Sequence, residues 1–145
     1  MTGHYDFQLS DGEAAGLARY LNRGGLLVVS AGARLKPFDK AFKRELKKAF
    51  ANGELVKIPP SHPLFSGGWN GVDKVTFTPP VLRDDPTLET PEFYGYFIDG
   101  RLAILYTPYD LMSGVNRESN AYAKGLVDTD AMRVVNNIIT YALSH

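Results

Sequence analysis

The chain has 145 residues, 44% hydrophobic and 22% charged, with sixteen Lys/Arg balanced by sixteen Asp/Glu and no Cys. That length and balance describe one globular domain able to bury a core, and they argue against a dominant attraction to nucleic acid or anionic membrane. The missing cysteine excludes disulfides, thiolate metal sites and thiol catalysis within these residues. The charge is uneven: residues 1–72 carry a formal +4 and residues 73–145 a formal −4.

An apolar run is expected to end at Thr2-Gly3-His4, and Met1-Thr2-Gly3-His4-Tyr5-Asp6 does not read as a signal peptide. Ser10-Asp11-Gly12-Glu13 has capping-box spacing, and Ala14, Leu17, Ala18 and Leu21 then fall on one helical face. Gly24-Gly25 should end that helix. Leu26-Leu27-Val28-Val29 is apolar without alternation, as a strand covered on both faces reads. Ser30-Ala31-Gly32 should form the turn that follows.

Pro37 to Phe50 reads as a second helix, with Phe38, Phe42, Leu46, Ala49 and Phe50 inward. Lys36, Lys40, Lys43, Arg44, Lys47 and Lys48 form a basic outer face with Asp39 and Glu45 as local partners. Leu55 to Ile58 is a short strand stopped by Pro59-Pro60. Residues 61–93 are irregular, with one strand expected at Val75-Thr76-Phe77. Tyr94 to Ile98, then Asp99-Gly100, then Leu102 to Tyr106 has the pattern of a β-hairpin, because Asp-Gly suits a turn with positive φ at both positions. A second irregular stretch, 108–127, leads to a final helix capped by Asp128, with Met132, Val135, Ile138, Ile139 and Ala142 inward. No stretch approaches the ~18–20 apolar residues of a membrane span.

These segments resemble a bacterial family known as domain of unknown function 4159. The resemblance rests on Thr2-Gly3-His4 with the capped helix, Gly24-Gly25 and buried strand that follow. It continues through Phe38-Asp39-x-x-Phe42-Lys43-Arg44-Glu45-Leu46, Pro59-Pro60-Ser61-His62-Pro63-Leu64-Phe65, Ile98 to Leu102, Tyr106 to Leu111 and Val135-Asn136-Asn137-Ile138. It implies a class I glutamine amidotransferase-like fold: a flavodoxin-like three-layer α/β/α sandwich, mostly parallel, with a hairpin at 94–107. It supplies no activity. It also implies further strands and helices ahead of Thr2, so residues 1–145 are expected to form a single α/β domain or the C-terminal part of a larger one. Its exposed sheet edge should then be covered by a partner protein or a second copy. The chain as written reads as soluble and cytoplasmic, with an exported or envelope-associated location if an N-terminal segment is missing.

In open α/β sheets ligands gather outside the carboxyl ends of strands. The candidate ligand site is therefore His4, Asp6, Ser30, Gly32, Tyr109 and Asp110, with His62 and Arg44 as secondary candidates. His4 could act as a general base or ligand-binding imidazole oriented by Asp6, against a plain turn histidine. Ser30 occupies the turn where the amidotransferase-like fold keeps its nucleophile, but without the Gly-x-Ser-x-Gly pattern. Asp110 could hold a ligand or His4, or cap its own loop. Trp69 with Tyr94 and Tyr96 could stack on a sugar. Three histidines without close ligand spacing argue against a metal, and no cofactor is implied. Two functions follow: a non-catalytic ligand-binding or assembly module lacking the thiol, or a cysteine-independent hydrolase using His4 with Asp110 or Ser30. Nucleic acid is the least favoured partner.

Overall fold

In a computed structural model that describes residues 1–32, 36–66, 71–72, 74–117 and 122–145, the chain builds one five-stranded sheet. The strands are β1 (Thr2–Gly3), β2 (Leu27–Ala31), β3 (Val56–Lys57), β4 (Tyr94–Ile98) and β5 (Arg101–Thr107), in spatial order β1-β2-β5-β4-β3. β1, β2 and β5 are parallel, whereas β4 runs antiparallel to both β5 and β3. The helices are α1 (Asp11–Asn22), α2 (Lys36–Ala49), α3 (Pro63–Ser66), α4 (Pro79–Asp84), α5 (Met112–Val115) and α6 (Asp128–Ser144).

Local chemistry accounts for the elements that read clearly in the sequence. Ser10 caps α1 by accepting from the Glu13 amide, and the Glu13 carboxylate accepts from the Ser10 amide at 2.7 Å, closing the capping box. Asp99 (φ 49°) and Gly100 (φ 80°) both take the left-handed conformation that the tight hairpin requires. Within that hairpin the pairing shifts between Tyr96 and Phe97, and Ala103 is the extra residue on β5. The shift keeps Phe97 and Leu102 on one face while Tyr96 and Ile104 stay on the other.

Each face of the sheet carries its own apolar cluster. On one side Val29, Ala31, Ile104 and Tyr106 meet Leu21 of α1 and Phe38, Phe42 and Leu46 of α2. On the other, Leu102 and Leu105 meet Leu64 and Phe65 of α3, Val81 of α4, and Val134, Ile138 and Tyr141 of α6. Among the described residues no helix is long and apolar enough to cross a membrane.

Several expectations need correction. β2 runs on through Ser30 and Ala31, so Ser30 lies inside a strand, in register with Thr2 and Thr107, rather than in the turn after it. No strand forms at Val75–Phe77; Phe77 makes only an isolated bridge to Leu126. The N-cap of α6 is Val127, and Asp128 is the first helical residue, its Oδ1 accepting from the Thr129 amide. That helix also turns inward a face rotated from the expected one, with Ile138 shared by both. Ala131, Val134, Asn137, Ile138 and Tyr141 are buried, leaving Met132 and Ile139 exposed.

Candidate functional site

The three parallel strands finish level with one another, Gly3 beside Ala31 and Ser30 beside Thr107. His4, Gly32 and Pro108 therefore emerge along one border of the sheet. Two glycines let neighbours close onto this border. A Cβ on Gly3 would sit 2.4 Å from the Phe38 ring, and one on Gly32 would sit 2.5 Å from His4 Nε2. The structure thus brings His4 and Gly32 together: the exposed imidazole lies on the glycine backbone just past β2.

Asp6 does not orient that imidazole. Its Oδ1 accepts from both Nη1 and Nη2 of Arg44 at 3.1 Å. Arg44 also donates through Nη2 to the Phe7 carbonyl and through Nε to Glu45 Oε1 at 2.7 Å. Glu45, only 4% exposed, accepts from the Leu9 amide at 3.1 Å, and Lys48 donates to the Leu9 carbonyl at 2.6 Å while pairing with Asp11. Hydrogen bonds from the Leu9 amide and then Arg44 hold the Glu45 carboxyl below its ordinary value. Arg44 and Lys48 of the basic face of α2 therefore clamp residues 6–11 against the helix. Glu45 is a buried anchor rather than a solvated partner, while Lys36, Lys40 and Lys47 stay exposed.

Ser30 and Asp110 are both committed to the backbone beside them. The Ser30 hydroxyl, 4% exposed, donates to the Tyr109 carbonyl at 2.9 Å and accepts from the Leu111 amide at 3.2 Å. The Asp110 carboxylate accepts from the Ser113 amide at 3.1 Å and from the Ser113 hydroxyl at 2.8 Å, capping the turn that becomes α5. Asp110 also lines a cleft of about 540 Å³ between α4, α5 and the start of α6, with Arg83, Arg117 and Asp128 around it. Tyr109 is fully buried, its ring centroid 4.8 Å from that of Phe77. His62 sits elsewhere. Its Nδ1 accepts from the Leu64 amide at 3.2 Å and its ring lies between Phe97 and Tyr141. Phe97 pairs with Leu102 near the amino end of β5, so His62 belongs to the opposite border of the sheet. Burial, with His145 nearby, pushes its pKa down and favours the neutral ring.

One group at the strand ends escaped the sequence reading. The Tyr106 hydroxyl donates to Asp39 Oδ1 at 2.7 Å, and the Lys43 ammonium holds the same carboxylate at 2.8 and 2.9 Å. Asp39 lies in the first turn of α2, where the helix dipole favours a negative charge. Tyr106 is 3% exposed, stacked on Phe42 with centroids 5.6 Å apart, and flanked edge-on by Tyr94. Burial first, and then the Asp39 carboxylate, push its phenol well above the ordinary value, so it remains a protonated donor. These groups, with Leu55, Glu92 and Pro108, line a cleft of about 220 Å³ at the carboxyl end of β5. Glu92 is itself paired with Lys57 at 2.8 Å. The available signals were the Asp39–Lys43 spacing, one helical turn apart, and Tyr106 as the last aromatic of an otherwise aliphatic strand. Of the sugar-stacking trio, Tyr94 lines this cleft and Tyr96 packs on Phe50. Trp69 lies outside the described residues.

The arrangement can hydrogen-bond and stack against a small polar molecule through one cation, two carboxylates and the half-buried Tyr94 ring. Among the described residues no three His, Asp or Glu side chains are grouped to hold a metal ion. The molecule is thus a mixed α/β domain with a polar, aromatic-walled cleft where its central strand ends. It belongs to the family described as Domain of unknown function (DUF4159), whose model matches residues 1–143. No curated protein matches the chain.

Proposed function

We propose that this chain is a non-catalytic ligand-binding module on a three-layer, class I glutamine amidotransferase-like fold, with its ligand in the cleft at the carboxyl end of β5. The observation that carries the reading is the Lys43–Asp39–Tyr106 group, held in fixed geometry at the edge of an open cleft. Ligands of open α/β sheets collect at this border, and apolar clusters on both faces of the sheet support the layered fold. A hydrolase using His4 with Asp110 or Ser30 is less well supported. Ser30 and Asp110 would each have to give up two hydrogen bonds before serving as nucleophile or charge partner.

The test is a thermal-shift screen against nucleotides, sugars, amino acids and acyl compounds, run on the wild type, Lys43→Ala and Tyr94→Ala. A ligand at ~100 times its dissociation constant adds ~2.7 kcal/mol, roughly 5–10 °C for a domain of this length. The shift should disappear in both variants. A shift that survives in both, or steady hydrolysis of p-nitrophenyl acetate that depends on His4, overturns the proposal.

A further inference from the structure

The chemistry of the cleft at the carboxyl end of β5 narrows its ligand to one class, an inference that rests on the binding-module reading above. The cleft holds about 220 Å³, below the ~300–1,000 Å³ of sites that take drug-sized molecules, so it suits a single small ring. Its charges are already matched. The Lys43 ammonium bonds both oxygens of Asp39, at 2.8 and 2.9 Å. Lys57 holds the other carboxylate, Glu92, at 2.8 Å. Two cations thus balance two carboxylates. An ionic ligand would bring a charge that only the breaking of one of these pairs could match, and unmatched charge in a partly dry site is costly.

What the pairs leave over is hydrogen-bonding capacity. A carboxylate offers about four acceptor sites. Asp39 uses three of them, two on Lys43 and one on the Tyr106 hydroxyl. Glu92 uses two, one on Lys57 and one, at 3.4 Å, on the Tyr94 hydroxyl. Roughly three acceptor sites therefore remain, beside an ammonium whose third N–H is not needed by the two oxygens of Asp39. The group that donates to carboxylates and accepts from an ammonium through one uncharged atom is a hydroxyl, and several are needed at once.

The remaining wall is apolar. Tyr94 presents a half-buried ring, with Leu55 and Pro108 also half-buried around the cleft. The C–H bonds on the flat side of a pyranose carry slight positive charge, which suits the negative face of an aromatic ring. We infer that the ligand is a neutral sugar ring, its hydroxyls on Asp39, Glu92 and Lys43 and its C–H face on Tyr94. Contacts to one such ring give a dissociation constant on the order of 1 mM.

Saturation-transfer NMR on the full chain, with thermal-shift titration, tests this. The probes are the methyl glycosides of glucose, galactose and mannose. Glucuronate, glucosamine and a glucose phosphate supply the same ring with a charge, and adenine supplies a flat, uncharged ring without hydroxyls. At least one neutral glycoside should bind, and its charged counterparts should bind at least tenfold more weakly. Tyr94→Ala and Glu92→Gln should each weaken the glycoside tenfold or more, and Tyr94→Phe should recover most of what Tyr94→Ala loses. The Glu92 side chain is 33% exposed, so Glu92→Gln keeps the test decisive if Tyr94→Ala does not fold. A charged sugar or adenine that binds in preference, and is lost in these variants, overturns the sugar but leaves the cleft as the binding site. Glycoside binding that survives both Tyr94→Ala and Glu92→Gln overturns this inference and the cleft together. No binding of any glycoside at roughly 50 times the expected dissociation constant overturns the inference alone, and the wider screen above still decides the module.

Discussion

Replacing Ser30 by Ala separates a structural serine from a nucleophilic one. The hydroxyl is buried at the carboxyl end of β2 and joins that strand to the segment after β5, donating to Tyr109 and accepting from Leu111. Alanine fits the space but removes the donor to the Tyr109 carbonyl and the acceptor of the buried Leu111 amide. Leaving such groups unsatisfied costs ~1–3 kcal/mol, and about 2 kcal/mol is expected here because the segment can relax slightly. Unfolding entropy of ~2.1 cal/mol/K per residue gives roughly 300 cal/mol/K for this chain, so the loss corresponds to about 6–7 °C in Tm. Scanning calorimetry or far-UV circular dichroism at neutral pH reads this directly. A catalytic serine behaves in the opposite way, since removing it commonly leaves stability unchanged or higher while activity disappears. A Ser30→Ala melt within about 1 °C of the wild type would refute the clamp and reopen the nucleophile reading.

The same reasoning extends to further sites. Gly125→Ala should prevent folding or lower Tm by more than any substitution above, because its Cβ would lie 1.9 Å from the Asp110 carbonyl oxygen, which is backbone and cannot swing away; soluble yield and Tm check this. Tyr106→Phe removes the donor to Asp39 and should cost ~1 kcal/mol, about 3 °C in Tm, while weakening whatever ligand the cleft binds. The carboxyls of Glu45 and Asp130 are both held below their ordinary values. For Asp130, burial alone would raise the pKa, but hydrogen bonds from Thr76 and Arg133 outweigh it. A depressed carboxyl contributes stability above its unfolded pKa, near 4.5 for Glu45 and 3.8 for Asp130, and that stability is lost as pH falls through the lower folded value. Tm should therefore fall steeply below about pH 4.5, less so in Glu45→Gln; equal acid slopes in the two proteins would remove Glu45 from the explanation.

The parts of the fold that could be read from the sequence are those fixed by neighbours along the chain. The Ser10–Glu13 capping box and the Asp99-Gly100 turn depend on a few adjacent residues and form as expected. The continuous apolar runs of β2 and β5 likewise reflect burial on both faces. What failed depends on distant contacts. α6 has apolar residues at Met132, Val135, Ile139 and Ala142 as well as at Val134 and Ile138, so periodicity alone defines two inward faces. The choice is made by Leu64 and Phe65 packing from α3 and by Leu105 in the sheet. Val75–Phe77 has strand-like composition, but among the described residues it makes a single bridge, Phe77 to Leu126, and one bridge does not make a ladder.

The candidate site follows the same division for a different reason. Position at a strand end is legible in sequence, and His4 and Gly32 lie side by side at the border where the parallel strands end. Availability is not legible, because it depends on which side chains the fold has already occupied. Ser30 and Asp110 lie at the expected border but spend their hydrogen-bonding capacity on residues 109–113, and Asp6 is taken by Arg44. Asp39 and Lys43 looked like one more solvated ion pair on a basic helix. They enter the proposed site only because Tyr106, 67 residues away along the chain, brings its hydroxyl to the same carboxylate from the end of β5.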